Sequence, residues 1–263
     1  MVGPDARLID LVSAGTTVLL AVLGIRLFVS RLSRSYPWFT AYVCSLCVEA
    51  GVLLLMESHQ RHVYNRIWTG FRLLNVPLEA KAVLGIFDRW TFSFPGIGAF
   101  GRRLLVFLLL AAIAVVIFTL PVGWPPGAWG RALTVAVVAN RATNIGFSMF
   151  LLLTVGFFAK FGGPVAPNLR IHTWAMAAYV TATSASYFVL TRSVFLGQVL
   201  LPAVTMVPLI FWIVALRGSG ETQPITIGDE NEWAKTEAMN DQMQKLADAI
   251  TVTPRGVKVK REK

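Results

Sequence analysis

Glu49, Arg72 and Arg141 each stand inside a long run of apolar residues, and ionisable groups in that setting need an explanation. A charged side chain at the centre of a membrane helix costs about 2.5–3.5 kcal/mol on insertion scales, so it is held by a partner, a cavity or a function. Asn75, Asn140 and Asn144 fall near the same level, and by helical rise the set lies about 12–16 Å below the outer surface. A polar cluster in the outer half of a helix bundle is expected, with Glu49 as counter-ion to one or both arginines. Two guanidiniums to one carboxylate would leave a positive site, which suits an anionic or polar ligand. The same residues also suit a purely mechanical role, because interhelical polar contacts contribute about 0.6 kcal/mol each. Glu79 and Lys81 are placed deeper, toward the inner side. They flank Ala80 and do not face each other. Pro77, just before them, is a candidate kink that would free backbone carbonyls.

Other chemistry has less to work with. Glu57, His59 and His62 are residue types that hold zinc or copper, but histidines beside arginines at an interface are commonly just solvated. No metal or other cofactor is predicted. Cys44 and Cys47 lie three apart in one apolar run. A disulfide there would strain a helix, and zinc would need two more ligands, so they read as small thiols. His172 sits at the inner edge of its run, a poor place for a haem ligand. Lys81 is the one lysine inside any apolar run, and the last run, VLLPAVTMVPLIFWIVAL, has none to form a retinal Schiff base. No phosphate loop, HExxH or GxSxG motif occurs, and nothing argues for an enzyme. Ser184 and Ser186 belong to TATSAS, a small-residue stretch that suits close helix packing.

The elements that must position these groups follow from hydropathy. Hydrophobic residues make up 55% of the 263 and charged ones 14%, against about 25% charged in an ordinary soluble domain. The apolar residues form blocks of about 20, the length that crosses a bilayer. Seven spans are expected: Leu8–Val29, Trp38–Met56, Val63–Phe87, Leu104–Leu120, Ala132–Phe158, Ile171–Leu190 and Val199–Leu216. The fold class is all-α and polytopic. The third span is the least apolar, carrying Arg66, Arg72, Glu79 and Lys81. MVGPDARLID lacks the pattern of a cleaved signal peptide, so the first span is expected to be retained.

The net charge of +10 raises the question of nucleic acid, but the basic residues lie between the apolar blocks, where membrane orientation puts them. Arg26, Arg31 and Arg34 follow span one; Arg89, Arg102 and Arg103 follow span three; Lys160 and Arg170 follow span five; Arg217 follows span seven. The alternate loops hold only Arg61 and Arg66, then Arg131, then Arg192. This excess places the N-terminus outside and the C-terminus in the cytoplasm of a bacterial cell membrane. Residues 1–217 form the transmembrane domain and 218–263 a cytoplasmic tail. Within the tail, Met239, Met243, Leu246 and Ile250 mark a short amphipathic helix for a membrane surface or protein partner. PRGVKVKREK is a basic, disordered end suited to anionic lipid.

FPGIGAFGR, from Phe94 to Arg102, precedes a long apolar span, and YPWFTAY, from Tyr36 to Tyr42, opens another. Together with Arg141, and with Asn168 and His172 before span six, these segments resemble a group of uncharacterised bacterial seven-span proteins common in Acidobacteria. The resemblance covers most of residues 8–217. It departs in span three, where carboxylates of that group are replaced by Arg72 and by Gly85–Ile86–Phe87. It implies topology and carries no activity over. The expected function is a non-enzymatic seven-helix bundle that senses a ligand or scaffolds a complex. A small-solute or ion transporter and an accessory subunit of a membrane complex are the rival readings.

Overall fold

The protein, a computed structural model, is described at residues 4–56, 61–92, 94–119, 131–161, 163–190, 193–218, 220–221, 225–227 and 230–251. It is almost wholly helical. The long helices are α1 (Pro4–Val29), α3 (Pro37–Leu55), α4 (Arg61–Trp90), α5 (Pro95–Thr119), α6 (Arg131–Phe161), α7 (Pro167–Leu190), α8 (Val194–Ala215) and α9 (Glu230–Thr251); α2 (Leu32–Ser35) is a single turn. Pro37, Pro95 and Pro167 each open a helix, where the missing N–H costs nothing and the fixed φ is already helical. Arg31, at φ 58°, turns the chain between α1 and α2. Ser193 caps α8 by accepting from the Leu196 N–H at 3.5 Å.

Four of these helices contain segments long and apolar enough to cross a membrane: Leu8–Val29, Pro37–Leu55, Gly96–Phe118 and Val135–Lys160. Val199–Ala215 in α8 is apolar but shorter. α4 and α7 are long, yet their polar residues dilute the hydropathy. Those residues point inward: Asn75 and Glu79 of α4, and Asn168, His172, Thr173, Thr183 and Ser186 of α7, are all buried. Outward stand Leu73, Leu74, Phe107, Phe118, Val207 and Val214. Apolar residues outside and polar ones inside is the arrangement selected by lipid as the surrounding solvent.

The helices form a ring. α1 packs on α3 and α8, α3 on α4, α4 on α6 and α7, α6 on α7, and α7 on α8; α5 packs on α6 beside the ring. Successive long helices of the bundle run in alternate directions, so one face collects the ends of α1, α4, α6 and α8 and the starts of α3, α5 and α7. That face also carries the tail. Arg26 Nη2 donates to the Leu216 carbonyl at 2.5 Å, tying the end of α1 to the end of α8. Asn168, at the start of α7, clamps Arg217 in both directions: its Nδ2 donates to the carbonyl at 2.6 Å, and its Oδ1 accepts from the amide at 3.0 Å. Arg89, near the end of α4, pairs with Glu221 at 3.3 Å, donates to the Ser35 carbonyl and lies over the Tyr36 ring at 4.5 Å. Burial, with the Glu221 carboxylate beside it, raises the Tyr36 phenol well above its usual range, so this hydroxyl stays neutral.

Replacing Asn168 by alanine strips both of these side-chain hydrogen bonds and leaves the part-buried Arg217 amide and carbonyl without them. A loss of about 2–3 kcal/mol is expected, read as a lower Tm of the full chain. An unchanged Tm would mean that the junction at Arg217 carries no stability.

Three expectations change here. First, α5 begins at Pro95, well before the expected Leu104, so Arg102 and Arg103 lie on a helix and not in a loop. The two arginines interrupt the hydropathy, but Arg102 reaches Asp88 of α4 at 2.9 Å and needs no loop. Second, α4 begins at Arg61 and runs past the expected Phe87 to Trp90, with Pro77 inside it. Third, the tail adds a short pairing to the all-helical architecture: β1 (Gly163–Val165) pairs antiparallel with β2 (Ile225–Ile227), Gly163 opposite Ile227 and Val165 opposite Ile225. The Gly-Gly-Pro stop after α6 leaves an extended segment, and the tail supplies its partner.

Candidate functional site

Helical spacing explains how the charges meet. On α3, Tyr42, Ser45 and Glu49 recur at i, i+3 and i+7. On α4, Arg72, Asn75 and Glu79 recur in the same way. Each trio shares one helix face, and the two helices run antiparallel, so Glu49 meets the first members of the α4 trio and Tyr42 the last. Arg72 Nη2 lies 2.7 Å from Glu49 Oε1. Asn75 Nδ2 donates to Glu49 Oε2 at 2.7 Å, and Ser45 Oγ donates to Asn75 Oδ1 at 2.6 Å. The Trp68 ring, one turn before Arg72, stacks under its guanidinium at 5.3 Å. Four side chains thus form one ladder between α3 and α4, with Glu49 only 2% exposed.

Glu79 belongs to the same polar face, two turns along from Arg72. It is buried, and its Oε1 has no hydrogen-bond partner among the described residues. Tyr42 and Tyr179, whose hydroxyls meet at 3.4 Å, lie within electrostatic reach of it. Lys81 turns away, its Nζ 5.7 Å from the centre of the Trp38 ring. The interior therefore holds two carboxyl groups, Glu49 and Glu79, as well as the two arginines.

Arg141 is placed apart. Among the described residues Glu49 is the counter-ion of Arg72, and the Arg141 guanidinium lies over the Phe188 ring at 5.0 Å. Arg141 is buried on a wall of a groove of about 330 Å³ between α6 and α7, where Ser148, Thr181 and Ser184 also line the surface. It sits ten residues from the start of α6 and twenty from its end, in the half of the bundle away from the tail. Asn140 and Asn144 are buried on the same helix. Asn140 Nδ2 donates back to the Ala136 carbonyl at 2.8 Å, while Asn144 Oδ1 has no partner among the described residues. The seven nominated residues thus divide into a ladder of Glu49, Arg72 and Asn75 with Glu79 beyond it, and a separate α6 set of Asn140, Arg141 and Asn144.

Glu57 and His59 lie outside the described residues, and of His62 only the helical backbone is described, so that metal candidate has no geometry. Cys44 and Cys47 are free, half-buried thiols. Sequence reasoning missed the environment of His172. It is fully buried against Tyr36 at 4.1 Å and Phe39 at 4.7 Å, with Trp212 closing the box at 6.5 Å. Tyr36 and Phe39 come from the start of α3, but Trp212 comes from α8 and His172 from α7, so no local pattern could have shown the whole box. Ser45 and the tyrosines Tyr42 and Tyr179 were also missed, although the i, i+3, i+7 spacing of the α3 trio was present to be read. No family model, curated protein or solved structure matches this chain.

Proposed function

We propose that this chain is a seven-span protein of a bacterial cytoplasmic membrane, with its N-terminus outside and its tail in the cytoplasm, that senses a polar or anionic ligand in the outer half of its bundle. Seven helices in alternate directions support the span count: α4 and α7 turn their polar residues inward, away from lipid, and their apolar ones outward. The basic residues Arg26, Arg31, Arg34, Arg89, Lys160, Arg170 and Arg217 favour the tail face as the cytoplasmic one. The observation that carries the sensing reading is the groove between α6 and α7, which combines a buried guanidinium with three hydroxyls in the half away from the tail. α6 lines that groove and contacts α9 at its other end, so one rigid element joins the two. The resemblance to bacterial seven-span proteins agrees with this topology.

Topology is tested by single cysteines in a background lacking Cys44 and Cys47. Cysteine at 34 or 217 is expected to label only after permeabilisation, and cysteine at 61 in intact cells; the reverse pattern would discard the orientation. The sensing reading is tested by thermal stability of the purified full chain against a panel of soluble anions, polar solutes and membrane lipids. A ligand at 100 times its Kd stabilises by about 2.7 kcal/mol. That stabilisation is expected in the wild type and lost in Arg141→Ala. No stabilisation by any member of the panel would remove sensing.

Transport has one observation in its favour, the buried Glu79 beside the Tyr42 and Tyr179 hydroxyls inside the ring. It requires solute flux in proteoliposomes that Glu49→Gln or Glu79→Gln abolishes. A chain that gives no flux with a broad set of solutes and ions is not a transporter.

A further inference from the structure

The groove between α6 and α7 has a shape that narrows the ligand class, granted the sensing reading above. Its layers follow from helix spacing. Arg141 and Phe188 form the end away from the tail, Ile145 and Ala185 the middle, and Ser148, Met149 and Thr181 the far end. That far end is closed by a hydrogen bond between the Ser148 and Thr181 hydroxyls at 2.6 Å. The charge is therefore at one end of a slot whose remaining walls are mostly apolar. Met149 and Phe188, on opposite walls, are 46% and 43% exposed, so the slot opens sideways, away from the ring interior. For a bundle surrounded by lipid, that is the direction from which an acyl chain arrives. At about 330 Å³ the slot lies near the lower end of small-molecule sites, enough for part of an amphiphile. A free anion would use the arginine and leave the apolar walls uncovered. A lipid with a negatively charged head uses both: guanidinium for the phosphate, and Ile145, Met149 and Phe188 for the chain.

We infer that this groove is a binding site for an anionic phospholipid of the outer leaflet, its phosphate at Arg141 and its acyl chain along α6 toward Met149. The probe is phosphatidylglycerol, compared with phosphatidylcholine and with soluble glycerol phosphate, on the delipidated full chain by native mass spectrometry and thermal stability. Phosphatidylglycerol is expected to be retained at least fivefold over phosphatidylcholine, with glycerol phosphate giving no stabilisation at millimolar concentration. Arg141→Gln should bring the two lipids to parity, and Arg141→Lys should keep most of the preference. Ala185→Phe fills the middle of the slot without touching the charge and should lower retention of phosphatidylglycerol by a similar factor. It carries the test if Arg141→Gln does not fold. Equal retention of both lipids by the wild type, or a preference that survives both Arg141→Gln and Ala185→Phe, would overturn the inference. Stabilisation by a soluble anion through Arg141, without any lipid preference, overturns it as well but leaves the sensing reading intact.

Discussion

Arg72→Met is expected to lower the Tm of the full chain by on the order of 10 °C, and Glu49→Gln in the same molecule to restore most of that loss. The reasoning starts from burial. Glu49 is 2% exposed, its Oε1 faces Arg72 at 2.7 Å, and its other oxygen has Asn75. Removing the guanidinium leaves a carboxylate in a low-dielectric interior with a single amide donor. Breaking a buried ion pair in this way costs about 3–5 kcal/mol, most of it for the charge left behind. For a chain of this size each kcal/mol moves Tm by about 2–4 °C. The membrane-inserted unfolded chain also finds polar partners, which holds the loss toward the lower end. Adding Glu49→Gln removes the stranded charge, and the new side-chain amide can still accept from Asn75, so the double variant should sit well above Arg72→Met alone. The check is a double-mutant cycle on Tm. Additive losses, or a fall of less than about 1 kcal/mol in Arg72→Met, would mean that Glu49 and Arg72 are not coupled and that the ladder does not hold α3 to α4.

That ladder was half legible in the sequence. Glu49, Arg72 and Asn75 were recognisable because an ionisable or amide group in an apolar run is costly wherever the partner lies. Their pairing was not, because it depends on the register of α3 against α4, which tertiary packing sets. Whether Glu49 would take one arginine or both stayed open for a related reason: equal depth in the membrane does not specify which side of the ring a residue faces. Hydropathy located the helices but undercounted α5, whose first turns contain glycines and arginines. It also made α4 the least apolar of the expected spans, because a window averages an inward polar stripe with an outward apolar one. The tail stripe meets the bundle only in part. Met239 and Met243 are half-buried but Leu246 is 61% exposed, and among the described residues of α9 the fully buried one is Thr236. Polar side chains, not the apolar stripe alone, decide which face of α9 meets the bundle.

The contact that fixes that face predicts the second large effect: Gly96→Leu should release the tail helix while leaving the bundle folded. Gly96 lies in the first turn of α5, where backbone N–H groups have no partner in their own helix. Asn240 of α9 supplies one, its Oδ1 accepting from the Gly96 N–H at 3.0 Å. To make that bond α9 comes so close that a Cβ on Gly96 would stand 2.5 Å from the Asn240 carbonyl oxygen and 2.6 Å from the Gln244 nitrogen. Both neighbours are backbone, so no side-chain rotation can make room, and α9 as a whole must move off. Limited trypsin digestion of the full chain is the check, since Lys235 and Lys245 lie within α9. Cleavage there should accelerate at least tenfold in Gly96→Leu, with Tm of the protease-resistant bundle nearly unchanged. Asn240→Ala removes one hydrogen bond, about 1 kcal/mol, and keeps the close approach, so its acceleration should be about fivefold and no more. If both variants are cut at the wild-type rate, α9 is held by other contacts. A bundle that melts together with the released tail would show instead that α9 is part of the core fold. The order Gly96→Leu above Asn240→Ala above wild type would establish a tail that docks by surface fit on α5, detachable without unfolding, and so available as the moving part of a sensor.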